Sequence, residues 1–241
     1  MKWHVAGVLG AIAILLVFLY RFVGVPAVYR EDVPQRSIPT LFGNPAPLIE
    51  EIAVTAVYFV PADKTDTQME QWMDVLTKNL TRLEAFHETQ FLGRSHLTYR
   101  IHPEPIIGLK DHRAYDTDVT QHGNPEALRR IAEELAERGI ARPYSSSYHV
   151  IVILYEGVGA GGSENVAFLS RYFLTEKEYE FVGTTFLAHE FYHTLGVPDR
   201  YIIAQKIYAD GTPVPFEIVT AEDIMGRVRV PLEYAYLERA T

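Results

Sequence analysis

Ile52 to Val60 is apolar almost without a break and rich in β-branched residues, the pattern of a strand buried on both faces. After it, Met69, Trp72, Met73, Leu76, Leu80 and Leu83 recur at helical spacing and predict a helix over about 67–90. Thr65 and Thr67, followed three residues later by Gln68 and Glu70, offer it two capping boxes. Leu97 to Ile101 reads as a second strand, closed by Pro103 and Pro105. Asn124 as N-cap, Pro125 in the first turn, the stripe Leu128, Ile131, Leu135 and the stop at Gly139 predict a helix over 125–138. Tyr148 to Tyr155 is another buried strand, so strand-helix-strand alternation implies a sheet with parallel members. Val166 to Phe173 reads as the next strand. Thr184 and Thr185 open a further helix that buries Phe186, Leu187 and Phe191 and ends by Gly196. A loop with Tyr201, Tyr208, Pro213 and Pro215 is expected beyond it, then a short closing helix over 232–237.

The N-terminus follows a different pattern. Between Lys2 and Arg21 the run from Val5 to Tyr20 has no charged residue, and Phe22 to Val25 extends it. Residues 1–25 read as an uncleaved transmembrane signal anchor, with a cleaved signal peptide as the competing reading. Residues 26–48 carry prolines at 26, 34, 39, 45 and 47 without periodicity and read as a spacer. The folded domain is expected over 49–241. The implied localisation is a single-pass membrane protein with this domain outside the cytoplasm, or a secreted one if the segment is cleaved.

Composition removes several function classes. A net charge of −9 without a basic stripe argues against nucleic acid as partner. No cysteine means no disulfide framework and no thiolate metal site, so any metal must be held by histidines and carboxylates. The glycine-rich run 157–162 lacks the Gly-Lys-Ser/Thr ending of a phosphate loop. His112, Asp116, Asp118 and His122 read as a solvated loop rather than a second metal site. His87 reads as a surface or half-buried residue rather than a ligand, His149 reads as structural, and Asn79-Leu80-Thr81 matches a glycosylation sequon inside a helix.

The candidate chemistry lies in the stretch from His189 to Asp199. Histidines four residues apart project from one face of a helix, so His189 and His193 can converge on one ion with Glu190 beside its open position. A buried amphipathic helix that merely carries two histidines is the plain alternative. Gly196 can end the helix in the left-handed conformation and Pro198 cannot continue it, which makes Asp199 the third ligand by position. Glu217 and Glu222 lie downstream as rival third ligands. Zinc (Zn2+), one catalytic ion, suits two imidazoles and a carboxylate.

His189-Glu190-x-x-His193-x-x-Gly196-x-x-Asp199 resembles the metzincin metalloproteases, with Asp199 where the commoner motif has a third histidine. It is similar in this to snapalysin-type proteases and, in the wording Gly-x-Pro-Asp, to the immune inhibitor A type. Asp223-Ile224-Met225-Gly226 resembles the Met-turn, which implies that Met225 supports the site from below without binding metal. Arg227 stands where some of these families place a tyrosine, so an oxyanion helper must come from elsewhere, and Tyr201 is the candidate. The resemblance implies an α+β metzincin-like zincin domain with an α/β-like N-terminal part. Its parts are a mixed twisted sheet, two long helices, an active-site helix and a Met-turn, preceded here by the N-terminal transmembrane helix. It also implies an antiparallel edge strand that pairs with extended substrate, a place that Val166 to Phe173 would take. The expected function is zinc-dependent endopeptidase, in which a metal-activated water gives its proton to Glu190 as general base. The alternatives are a membrane-anchored binding module without turnover and a zinc hydrolase of a non-peptide amide. The expected partners are a peptide or protein substrate and, through the N-terminal helix, a membrane.

Overall fold

The computed structural model describes residues 49–117, 125–140, 148–207 and 213–237. The expected transmembrane segment and spacer (1–48), the cap at Asn124, and Asp118, His122 and Tyr208 lie outside the described residues. Among the described residues no helix is long and apolar enough to cross a membrane.

The fold is a mixed α/β arrangement around a six-stranded, mostly parallel sheet. Strand β1 (Glu51–Val60) is central, pairing in parallel with β2 (His96–Ile101), β3 (Ile106–Ile107) and β4 (Tyr148–Tyr155). Strand β6 (Val166–Ser170) pairs in parallel with β4, and β5 (Ala160–Ser163) closes that side as an antiparallel edge. Alternation along the central strands sends successive side chains to opposite faces, and each face is covered. Ile52, Val54, Ala56, Tyr58 and Val60 meet helix α1 (Trp72–Phe91) through Leu76, Leu80 and Leu83 in one core cluster. Val57, Phe59, Ile151 and Ile153 meet helix α2 (Pro125–Glu137) through Leu128, Ile131 and Leu135 in the other. Each such fully buried leucine or isoleucine stabilises the fold by about 1.5–3 kcal/mol, which is why both faces of these strands are largely apolar, with Thr55 and His149 as a buried, mutually bonded exception.

Five expectations of local structure are corrected. Helix α1 begins at Trp72, because 62–67 forms a separate 3-10 turn in which the Thr67 hydroxyl donates to the Lys64 carbonyl at 3.1 Å. Neither capping box is used there. The expected strand from Val166 ends at Ser170, and Tyr172–Thr175 turns into a short helix, α3. The edge strand is instead the end of the glycine-rich run, joined to β6 by a tight turn in which Glu164 has φ 51°. The loop expected after Asp199 is a two-stranded hairpin, β7 (Tyr201–Ile207) with β8 (Pro213–Val219), and the closing helix is a single 3-10 turn over Leu232–Tyr234. In that hairpin the Thr220 N–H donates to the Arg200 carbonyl at 2.8 Å. By alternation, Pro213 and Pro215 then stand where a backbone nitrogen faces away from β7, positions that need no donor.

Candidate metal centre

Helix α4 (Gly183–His193) carries the site and shares the α1 side of the sheet, with Leu187, Ala188, Phe191 and Tyr192 in that core cluster. Its first turn is tied down by hydroxyls. Thr184 donates to Asn79 Oδ1 at 2.7 Å and accepts from Arg82 at 2.8 Å, while Thr185 donates to the Val230 carbonyl at 2.6 Å. Asn79 is therefore buried and engaged, which removes it as a glycan acceptor. Above α4, β5 approaches so closely that a Cβ on Gly162 would stand 2.8 Å from the Glu190 carbonyl carbon and from His193 Cβ. Only glycine fits that crossing.

His189 and His193 bring their Nε2 atoms to 3.1 Å from each other. Each ring is held from behind by a backbone carbonyl. His189 Nδ1 donates to Ile224 O at 2.9 Å and His193 Nδ1 donates to Val197 O at 2.8 Å. A carbonyl can only accept, so both Nδ1 atoms carry a proton, and each Nε2 is turned into the shared space, where it presents a lone pair to a cation or, in a protonated ring, a proton to Asp199. The chain turns as its composition implies. Gly196 has φ 87°, and Val197 N–H donates to the Tyr192 carbonyl at 3.2 Å, so the helix closes one residue before Pro198. That turn delivers Asp199, whose Oδ1 lies 3.2 Å from the Nε2 of both histidines.

Three acceptor atoms converging at 3.1–3.2 Å repel one another unless a proton or a cation lies between them. The corners of such a triangle lie about 1.8 Å from its centre, a size that zinc's usual ~2.0–2.2 Å bonds to imidazole nitrogen and carboxylate oxygen would suit. Glu190 offers a further oxygen, since ligand atoms of His189, Glu190 and His193 all lie within 4.8 Å of one another. It is the one such group among the described residues. The electrostatics agree with a cation-seeking centre. Burial pushes the Glu190 carboxyl up, against the two histidines and with help from Asp199. For Asp199 burial acts upward, but hydrogen bonds from His189 and His193 outweigh it and hold the carboxyl well below the usual range. For His189 burial acts downward, and Asp199, Glu190 and the Ile224 carbonyl outweigh it, raising its pKa.

The rival ligands fare differently. Glu222 is paired with Arg227 at 2.9 Å, both half-exposed. Glu217 lies in β8 opposite Ile203, and its side chain is outside the described residues. His112 is bound to Asp63, and Asp116 accepts from Tyr155 and from the Val158 N–H, so neither belongs to a metal group. His87, expected at the surface or half-buried, is instead fully buried between the Tyr192 hydroxyl and Ser95.

Met225 is fully buried in the core cluster that holds Phe191, Tyr192 and Val197, and its turn touches the centre twice. The Ile224 carbonyl holds His189, and the Met225 carbonyl accepts from Arg200 N–H at 2.9 Å, directly after Asp199. Buried Asp223 caps the turn by accepting from Met225 N–H at 3.2 Å, with Arg200 3.8 Å from its other oxygen. The Tyr201 ring stacks beside His189, with centroids 6.1 Å apart. The residues that sequence reasoning passed over are Gly162 and the carbonyls of Val197 and Ile224. Backbone groups leave no residue-type signal, and Gly162 was visible only as part of a glycine run.

No protein-family model matches this chain, and no curated protein matches it. Among solved structures it is similar to the Argonaute protein from Methanocaldcoccus janaschii in complex with guide DNA. That likeness has 7% identity and a TM-score of 0.34, over 75% of this chain and 25% of that one, and carries no argument here.

Proposed function

We infer that this chain is a zinc-dependent endopeptidase of the metzincin type, with its centre at His189, His193 and Asp199 and with Glu190 as general base. The observation that supports it most is the convergence of two imidazole Nε2 atoms and one carboxylate oxygen at 3.1–3.2 Å, with a second carboxylate from the same helix beside them. Zinc bound there would supply a Lewis acid that acidifies water and polarises a carbonyl. The chain's own residues account for the rest. Ile224 and Val197 hold the imidazoles in one tautomer and orientation. Glu190 is suited to take a proton from the attacking water and pass it to the leaving amine, since its enclosure raises its basicity. Tyr201, stacked beside His189, is the candidate for steadying charge on the carbonyl oxygen. Edge strand β5, lying on α4, offers substrate a main-chain partner by strand addition. Residues 1–25 would anchor this domain in a membrane, on the extracytoplasmic side.

A fluorogenic peptide library incubated with the zinc-loaded full chain, with and without a chelator, tests the reading. Cleavage that the chelator abolishes and zinc restores is expected. Glu190→Gln should lower turnover by roughly 10²–10⁴-fold with one zinc still bound, because Glu190 moves protons and is not a ligand. Retention of more than about a hundredth of the activity would overturn the assignment of Glu190 as the base.

A further inference from the structure

The outer edge of β5 is nearly closed by the chain itself. Residues in an antiparallel pair alternate between turning their main-chain groups toward the partner strand and away from it. Ser170 N–H donates to the Gly159 carbonyl at 2.8 Å, and the register sets Ala160 opposite Leu169 and Gly162 opposite Ala167. Gly159, Gly161 and Ser163 therefore face β6, whereas Ala160, Gly162 and Glu164 face outward.

At each of two of these outward positions one main-chain group is taken. Ala160 N–H donates to Thr117 Oγ1 at 3.2 Å, and Thr117 N–H donates to the Val158 carbonyl at 3.0 Å. Thr117 is buried, and its Cβ lies 2.9 Å from where a Cβ of Gly159 would stand, so this side chain sits along the strand edge. At the other end, Glu164 turns the hairpin in the left-handed conformation, and its carbonyl shares the Tyr148 hydroxyl with that of Thr194, at 2.9 and 2.5 Å. Gly162 is the outward residue of β5 whose N–H and C=O both face out without a partner among the described residues. It is also the residue that rests on Glu190 and His193.

We propose that Gly162 alone pairs with the substrate backbone, so that the enzyme anchors one residue and acts on short peptides as readily as on long extended ones. The proposal rests on the peptidase reading above. An open edge would add two main-chain hydrogen bonds with every second substrate residue, each improving binding about two- to twelvefold. Here that gain stops at Gly162, because Thr117 on one side and the hairpin turn on the other end the strand.

The test takes a peptide that the zinc-loaded full chain cleaves, lengthens it by alanines on each side, and methylates its backbone nitrogens one at a time. The specificity constant is expected to stop rising once about one residue flanks the anchored residue on each side, and to stay within about threefold thereafter. Methylation of one nitrogen should lower it about tenfold, while methylation two residues away on either side leaves it within about threefold. Sensitivity recurring at every second nitrogen, or a gain of about tenfold with each two added residues, would overturn the proposal. The same peptides are also titrated onto Glu190→Gln by fluorescence anisotropy. A single sensitive nitrogen in binding without any cleavage by the wild type would sink the peptidase reading and leave the one-residue anchor standing. Absence of both cleavage and binding would overturn both.

Discussion

His189 Nδ1 donates to the carbonyl of Ile224 at 2.9 Å, across 35 residues of chain. The next carbonyl, that of Met225, accepts from the residue after Asp199. Two successive peptide groups of one turn thus orient two of the three candidate ligands. The turn can do this because it is itself held. Gly226 and Arg227 donate to the Asp223 carbonyl, and a Cβ at Gly226 would stand 2.8 Å from the Ala221 carbonyl carbon.

Met225 supports this turn by filling space. Met225→Leu, close in volume, is expected to cost less than about 1.5 kcal/mol and to keep one zinc per chain. Met225→Ala should cost about 2–5 kcal/mol, because the site cannot collapse around the cavity. Urea unfolding together with metal analysis checks this, and a leucine variant of full stability that loses its zinc would point to a direct role for the sulfur.

Asp199 is the anionic member of the triad. Asp199→Ala should weaken zinc binding more than about 100-fold, beyond the usual effect of losing an outer hydrogen-bond partner. Asp199→His should keep binding, since a third imidazole is an ordinary zinc ligand. Glu222→Ala should bind zinc like the wild type, because Glu222 is engaged with Arg227. Competition against a chromophoric chelator measures all three, and a reversed order of Asp199→Ala and Glu222→Ala would move the third ligand elsewhere.

Gly162→Ala probes the contact between β5 and α4. The added methyl must displace backbone, so an overpacking loss of about 1–3 kcal/mol is expected. Peptide cleavage should fall further than the zinc content. Thermal unfolding and metal analysis of the same preparation separate the two, and an alanine variant with unchanged stability would show that the strand stands off the helix.

Some of this was legible in the chain, and the limits have physical reasons. β1 and β4 announce themselves because both faces are buried and their apolar runs are broken only by Thr55 and His149, which bond to each other. His189, Glu190 and His193 were readable because helical periodicity alone brings them together, and Gly196 with Pro198 forecast the turn to Asp199. β5 was not readable, since Ala160, Gly161 and Gly162 offer almost no side chains from which to read a period. The β7–β8 hairpin was hidden for the opposite reason: Pro213 and Pro215 look like loop punctuation, yet a proline is tolerated where its nitrogen faces outward. At α1, Thr65 and Thr67 matched a cap motif that the 3-10 turn took instead.

His87 gives the fold an acid limit. Burial, with a smaller contribution from His96, pushes its pKa down to about 3. Between an unfolded value near 6.5 and that figure, the unfolded chain holds a proton that the folded one does not, so stability falls as pH drops, by about 1.4 kcal/mol per unit. His87→Gln should be less stable at neutral pH yet lose less on acidification. Urea unfolding of the zinc-free protein at pH 7, 6 and 5 checks this, and parallel slopes for the two proteins would mean that His87 is protonated in the fold.

The prolines of β8 matter beyond the hairpin itself. A bare strand edge invites a second copy to stack on it, the first step toward ordered aggregates. On the outer side of β8, Pro213 and Pro215 remove two of the donors such stacking requires. The outer edge of β8 is therefore a poor seed for polymerisation.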